Sequence, residues 1–228
     1  MDIFKYITKL FDIIFLNERC LICKKTGILL CKDCIVDIPK PEHDLPNYIY
    51  ALYEYRYPVI KKILTDAKYR KNFGNLKIFG PYLASVLLDI VIEYTELTHY
   101  KDILIIPVPI SKKRLKTRGF NQADIIAESI MANLQPGSNF KLVNNIIIKI
   151  KDRTPQASIH KRSQRLNSPK GTFQIKNLDA NTHKSKILNG TLCIVIDDIT
   201  TTGGTILEIR KILLEAGAQN VIGLTVAH

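Results

Sequence analysis

An α/β fold, a mainly parallel sheet flanked by helices with a small N-terminal four-cysteine module, is predicted by three observations. Apolar, β-branched runs such as residues 103–110 and 192–196 alternate with amphipathic stretches of helical period, the pattern of a parallel sheet. The chain has 228 residues, long enough for one ordinary α/β domain and a small appendage, and its 46% hydrophobic and 24% charged content is that of a globular protein rather than a disordered one. Two Cys-x-x-Cys pairs crowd the N-terminal part, apart from the sheet pattern.

In chain order, Phe4, Ile7, Phe11, Ile14 and Phe15 fall near one helical face, which predicts a docking helix. No cleavable leader and no run of about 18 apolar residues is read, so a cytoplasmic protein without a membrane span is expected. Cys20, Cys23, Cys31 and Cys34 follow, and four thiolates at that spacing can enclose one structural Zn²⁺ with no open position. Two disulfides are the alternative, disfavoured in a reducing compartment. Pro39, Pro41 and Pro46 mark a polar connector that continues neither a helix nor a central strand, so the domain boundary is placed between residues 1–45 and 46–228. Residues 48–57, with Tyr48, Tyr50, Tyr53, Tyr55 and Tyr57, read as a strand whose tyrosines either pack in the sheet or stack bases. Helices are then predicted over 58–71, 75–94, 122–134 and 205–216. Strands are predicted over 103–108, 146–150, 192–196 and 221–226. Cys193, inside a strand, reads as an inert core residue.

The charge is concentrated. The net charge is +12, and residues 111–170 hold 13 basic against 3 acidic residues. Such a cluster suits a diphosphate, a nucleic acid or both, with a solubilising face as the plain alternative. Lys112, Lys113, Arg114, Lys116 and Arg118 come just after an apolar strand, where α/β sheets place ligands, and this segment is expected to carry a diphosphate-contacting loop. Residues 153–172 lack periodicity and read either as a loop closing over a ligand or as a solvated one.

The most specific signal is Asp197-Asp198-Ile-Thr-Thr-Thr-Gly-Gly-Thr205, in which two carboxylates end a buried strand and a Thr/Gly loop leads into a helix. Helix N-terminal amides, hydroxyls and glycines favour a phosphate, and the adjacent acids can accept hydrogen bonds from a sugar cis-diol. An ordinary capped turn explains the loop but not the paired acids. No Gly-Lys-Ser/Thr follows, so this is not a P-loop, and the Gly-x-Gly-x-x-Gly fingerprint is missing too.

This segment resembles the signature of type I phosphoribosyltransferases. The resemblance implies that Asp197 and Asp198 serve catalysis by holding the ribose hydroxyls of 5-phosphoribosyl-1-pyrophosphate, and that Thr200, Thr201, Thr202, Gly203, Gly204 and Thr205 take its 5′-phosphate. The stretches 106–123 and 153–166, together with the cysteine cluster, are similar to the ComF family of competence-associated, amidophosphoribosyltransferase-like proteins. That similarity implies diphosphate contacts from Ser111, Lys112, Lys113 and Arg153, and Mg²⁺ bound with the ligand. It also implies a role in DNA uptake during natural transformation, with single-stranded DNA contacted by Lys112, Lys113, Arg114, Lys116, Arg118, Lys161, Arg162 and Arg165. A competence helicase or recombination-loading protein would be the partner. Purine-salvage relatives have a carboxylate where Thr201 stands, and a threonine does not transfer that proton at neutral pH, so purine salvage is disfavoured. Complete amidophosphoribosyltransferases carry a glutaminase domain with an N-terminal nucleophilic cysteine; the first cysteine here is Cys20, inside the cluster, so ammonia is expected to come from elsewhere. Two function classes follow: a transferase acting on an amine or other nucleophile, and a competence protein handling DNA.

Overall fold

The computed structural model describes residues 19–42, 45–69, 72–150, 171–176 and 188–228. The predicted docking helix and the basic positions Arg153, Lys161, Arg162 and Arg165 lie outside the described residues.

Five strands form one sheet in the order β1-β7-β6-β2-β3, every neighbouring pair parallel. They are β1 (Ile49–Tyr53), β2 (Asp102–Pro107), β3 (Phe140–Leu142), β6 (Thr191–Ile199) and β7 (Asn220–Ala227). A separate antiparallel pair joins β4 (Ile147–Lys149) to β5 (Phe173–Ile175). The helices are α1 (Lys32–Ile35), α2 (Pro58–Tyr69), α3 (Gly80–Leu97), α4 (Lys112–Arg118), α5 (Gln122–Met131) and α6 (Gly204–Glu215).

Strand β6 sits in the middle, and residues 191–196 are all buried, as a strand covered on both faces requires. Its alternation divides the core. Leu192, Ile194 and Ile196 pack with residues of α2, α3 and α5, whereas Cys193 and Val195 pack with Ile206, Ile209 and Leu213 of α6. Burial pushes the Cys193 thiol up to about 11, consistent with an inert core side chain.

The predicted single helix over 75–94 divides into a 3₁₀ segment, Phe73–Phe79, and α3, with Pro81 in the first turn of the latter. A Cβ on Gly80 would run into Ser129, so glycine lets α3 approach α5 closely. Within Phe73–Glu96 an 18-residue window reaches a mean hydropathy of 1.5, long and apolar enough by composition to cross a membrane, which the sequence reading did not anticipate. In the fold it is a core helix, with Leu76, Phe79, Leu83 and Leu87 fully buried.

Strand β1 ends at Tyr53, short of the predicted residue 57, because Tyr57 N–H turns back to Glu54 O before α2 begins. Its tyrosines pack against the core, Tyr53 buried and Tyr48, Tyr50, Tyr55 and Tyr57 half-buried. The cysteine module is continuous with the same core, since Cys20, Leu30, Cys31, Ile35 and Ile38 join the cluster of α2 and α3.

Candidate functional site

At the carboxyl end of β6 the acids leave the buried part of the strand. The sequence reading ended this strand at residue 196; the structure carries it to Ile199, because Asp197 aligns with Thr225 and Ile199 with Ala227 of β7. Asp197 Oδ1 accepts from Asp198 N–H at 2.9 Å, and Asp198 Oδ1 accepts from Ile199 N–H at 3.0 Å. Asp198 Oδ2 has no hydrogen-bond partner among the described residues and lies 3.4 Å from Lys68 Nζ, which reaches over from the last turn of α2. Burial, reinforced by the Asp198 charge, holds the Asp197 carboxyl well above the ordinary carboxylate range.

The loop after β6 is pinned and then freed. Thr200 is buried, with its N–H donating to Ala227 O at 2.9 Å, while Thr201 and Thr202 are exposed. Gly203 has φ 71°, a conformation that favours glycine where the chain turns into α6, and a Cβ there would also press on Ile49 Cδ1 at 2.6 Å. First-turn amides of that helix have no intrahelical acceptor, and the dipole adds positive potential at the same end. Of residues 200–205, Thr205 lines the adjoining cleft.

A cleft of about 150 Å³ runs between these groups. Asp197, Asp198 and Thr205 form one side. Lys68, Arg114, Arg118 and Lys149 add cations, and Asn121 and Gln122 present the start of α5. Ser111, Lys112 and Lys113 instead line a neighbouring cavity of about 720 Å³, which shares Pro109, Ile110, Asn121 and Lys149 with the cleft. The expected diphosphate loop is a short helix: Ser111 caps α4 by accepting from Arg114 N–H at 3.3 Å, and Gly119 closes it with φ 83°. That helix turns Arg114 and Arg118 to the cleft and leaves Lys116 exposed and on neither cavity wall. Lys68, Gln122 and Lys149 were not singled out as site residues from sequence. For Lys68 the available signal was the run of lysines toward the end of its helix.

Among the described residues, Cys20, Cys23, Cys31 and Cys34 form a second cluster, with all four Sγ atoms within 4.8 Å of one another. Cys31 Sγ lies 3.7 Å from Cys20 Sγ and 3.6 Å from Cys23 Sγ, and none of the four is joined in a disulfide. A tetrahedral Zn²⁺ with Zn–S bonds of about 2.3 Å separates its sulfurs by about 3.8 Å. The donor set and spacing thus fit a metal ion. Burial works against a Cys20 thiolate, but hydrogen bonds from the backbone at Cys31, Cys23 and Ile22 outweigh it and lower the thiol to about 6. Cys34, hydrogen-bonded to the Cys31 side chain, is pushed up to about 12.

Residues 115–228 match the family model described as the phosphoribosyl transferase domain. The chain belongs to that family. It is a ComF-like phosphoribosyltransferase-domain protein by its relatives. It is 29% identical over 206 residues to Competence protein ComFC of Streptococcus pneumoniae, covering 90% of this chain and 78% of that protein. With Competence protein ComFC of Bacillus subtilis it shares 29% over 189 residues, 82% of this chain and 67% of the relative. Competence protein F of Haemophilus influenzae is 28% identical over 137 residues, 59% of this chain and 55% of that protein. A solved hypoxanthine phosphoribosyltransferase from Staphylococcus aureus overlaps 63% of this chain and 61% of its own at 11% identity, with a TM-score of 0.33. The match to the phosphoribosyl transferase domain spans β6, the Thr/Gly loop and α6, so the acids and the helix N-terminus both lie inside the matched segment.

Proposed function

We propose that the cleft binds 5-phosphoribosyl-1-pyrophosphate together with Mg²⁺, and that the protein supports DNA uptake in natural transformation by handling single-stranded DNA. One observation carries the first half: Asp197, Asp198 and the α6 N-terminus open on one cleft, so a diol and a phosphate can be held together. Asp197 and Asp198 accept hydrogen bonds from the ribose hydroxyls, and Thr200–205 with the α6 amides hold the 5′-phosphate. Arg114 and Arg118 neutralise the diphosphate, while Lys68 stays paired with Asp198 beside the diol. A Mg²⁺ ion, when bound, would add charge neutralisation at the diphosphate, and the hard oxygen donors of the acids suit it. The four cysteines hold a structural Zn²⁺, in a unit that packs onto the core of the phosphoribosyltransferase-like domain through Leu30, Ile35 and Ile38.

The similarity to competence proteins supports the second half, as do the exposed cations Lys112, Lys113 and Lys116 on α4. A competence helicase or recombination-loading protein is the matching partner class. Single-strand binding is tested by titrating a fluorescent oligonucleotide at rising salt. Affinity is expected to fall steeply between 50 and 200 mM salt, in proportion to the phosphates neutralised, and to weaken in a Lys112/Lys113/Lys116→Ala variant. Binding indifferent to both would remove the DNA half.

Turnover is the second reading, favoured by the cations gathered at the diphosphate end. Incubating the protein with phosphoribosyl pyrophosphate, Mg²⁺ and a panel of amines and other nucleophiles, then measuring released diphosphate, separates a transferase from a protein that only binds the ligand.

A further inference from the structure

Beyond the groups already assigned, one buried donor in the cleft wall lacks a partner. Gln122 opens α5 and is only 3% exposed. Its Oε1 accepts from the Arg118 guanidinium at 3.2 Å, which fixes the side-chain amide and leaves Nε2 on the opposite arm. Nε2 has no hydrogen-bond partner among the described residues, although the side chain lines the cleft. Its neighbour Asn121 is fully used: Oδ1 caps α5 by accepting from Ala123 N–H, and Nδ2 donates to Val108 O and to Asp124 Oδ1, both at 3.0 Å. A buried amide donor left unpaired is unfavourable unless something supplies an acceptor. Arg114, Arg118 and Lys68 line the same cleft, and the α5 N-terminus adds the positive end of its dipole. The acceptor this combination selects is an anionic oxygen, not a sugar hydroxyl.

We infer that Gln122 is a ligand-reading residue, its Nε2 donating to a diphosphate-type anion held at the N-terminus of α5, with Arg118 locking the amide in the donating orientation. This rests on the phosphoribosyl pyrophosphate reading for the identity of the whole ligand, but the anion end has its own test. It moves anion recognition away from Ser111, Lys112 and Lys113, which face the neighbouring cavity.

The test titrates the full chain by calorimetry with inorganic pyrophosphate, and separately with phosphoribosyl pyrophosphate and Mg²⁺. Gln122→Glu keeps an acceptor for Arg118 while replacing the donor by a charge that repels the anion, and it is expected to weaken pyrophosphate at least about tenfold. Gln122→Met removes the donor without adding charge and is expected to weaken it about threefold or more, which serves if the acidic variant does not fold. Lys211→Ala, on an exposed position of α6, should change affinity by less than about twofold. Pyrophosphate that does not bind the wild-type chain, or binds both Gln122 variants undiminished, overturns the inference. If pyrophosphate binds and depends on Gln122 while phosphoribosyl pyrophosphate does not bind, the proposed function falls and the anion site stands. If phosphoribosyl pyrophosphate binds and neither Gln122 variant affects either ligand, the reverse holds.

Discussion

Burial and the neighbouring Asp198 charge raise the Asp197 carboxyl, so over the acidic range the folded protein retains a proton there that the unfolded chain releases. Stability therefore falls as pH rises from the ordinary carboxylate range through the raised value. Asp197→Asn is expected to flatten that slope between pH 4 and 7 and to raise the unfolding free energy at pH 7 by about 1–2 kcal/mol, as substitutions of strained functional groups do. Urea melts across this pH range check it; a variant no more stable than the wild type at pH 7 contradicts it. The acid pair was legible in sequence because it interrupts an apolar run immediately before a Thr/Gly loop. Lys68 was not legible as its partner, because the ion pair joins residues 130 positions apart and depends on where α2 ends relative to the sheet edge.

Helix α6 does two jobs, one at its N-terminus and one on its side. Glu208, three residues beyond Thr205 on α6, accepts at Oε1 from Thr172 N–H at 2.6 Å and Phe173 N–H at 3.2 Å, tying β5 to the helix. Glu208→Ala removes two hydrogen bonds to a buried acceptor and is expected to cost about 2–3 kcal/mol. Hydrogen exchange reads it locally: the Thr172 and Phe173 amides should lose protection, while the central β6 amides follow global stability alone. Equal loss of protection in β6 and β5 would contradict a local tie. Periodicity found the long elements and missed these short ones for physical reasons. Strand β5 has three residues and no alternation longer than Phe-Gln-Ile, and α4 has one apolar residue, Leu115, so no face marks it as a helix. The division of the 75–94 stretch was signalled by Pro81, whose ring suits a first helical turn rather than an interior.

For the molecule as a whole, the alternation of apolar runs with amphipathic stretches carried the parallel sheet, because strands covered on both faces are necessarily apolar along their length. Strand order was not available from that pattern; it emerges from pairing β1 with the last strand, β7. The cysteine cluster was legible from spacing alone, but not its packing into the core of α2 and α3, which rests on Leu30, Ile35 and Ile38. Metal removal should therefore affect more than the module. Stripping the ion with a chelator is expected to lower the thermal midpoint by several degrees and to release about one equivalent of Zn²⁺, measured with a chromogenic dye. A midpoint unchanged by chelation, with no metal released, would leave the cluster as four thiols.

The central claim is that one cleft recognises a pentose diol through its paired acids and a phosphate through the neighbouring helix end. Isothermal titration of phosphoribosyl pyrophosphate with Mg²⁺ into the wild-type protein and into Asp197→Asn/Asp198→Asn tests it most directly, with circular dichroism confirming that the variant is folded. Binding by the wild type and at least about a hundredfold weakening in the folded variant is the result predicted. Equal affinity in both proteins, or no binding to the wild type, would contradict it.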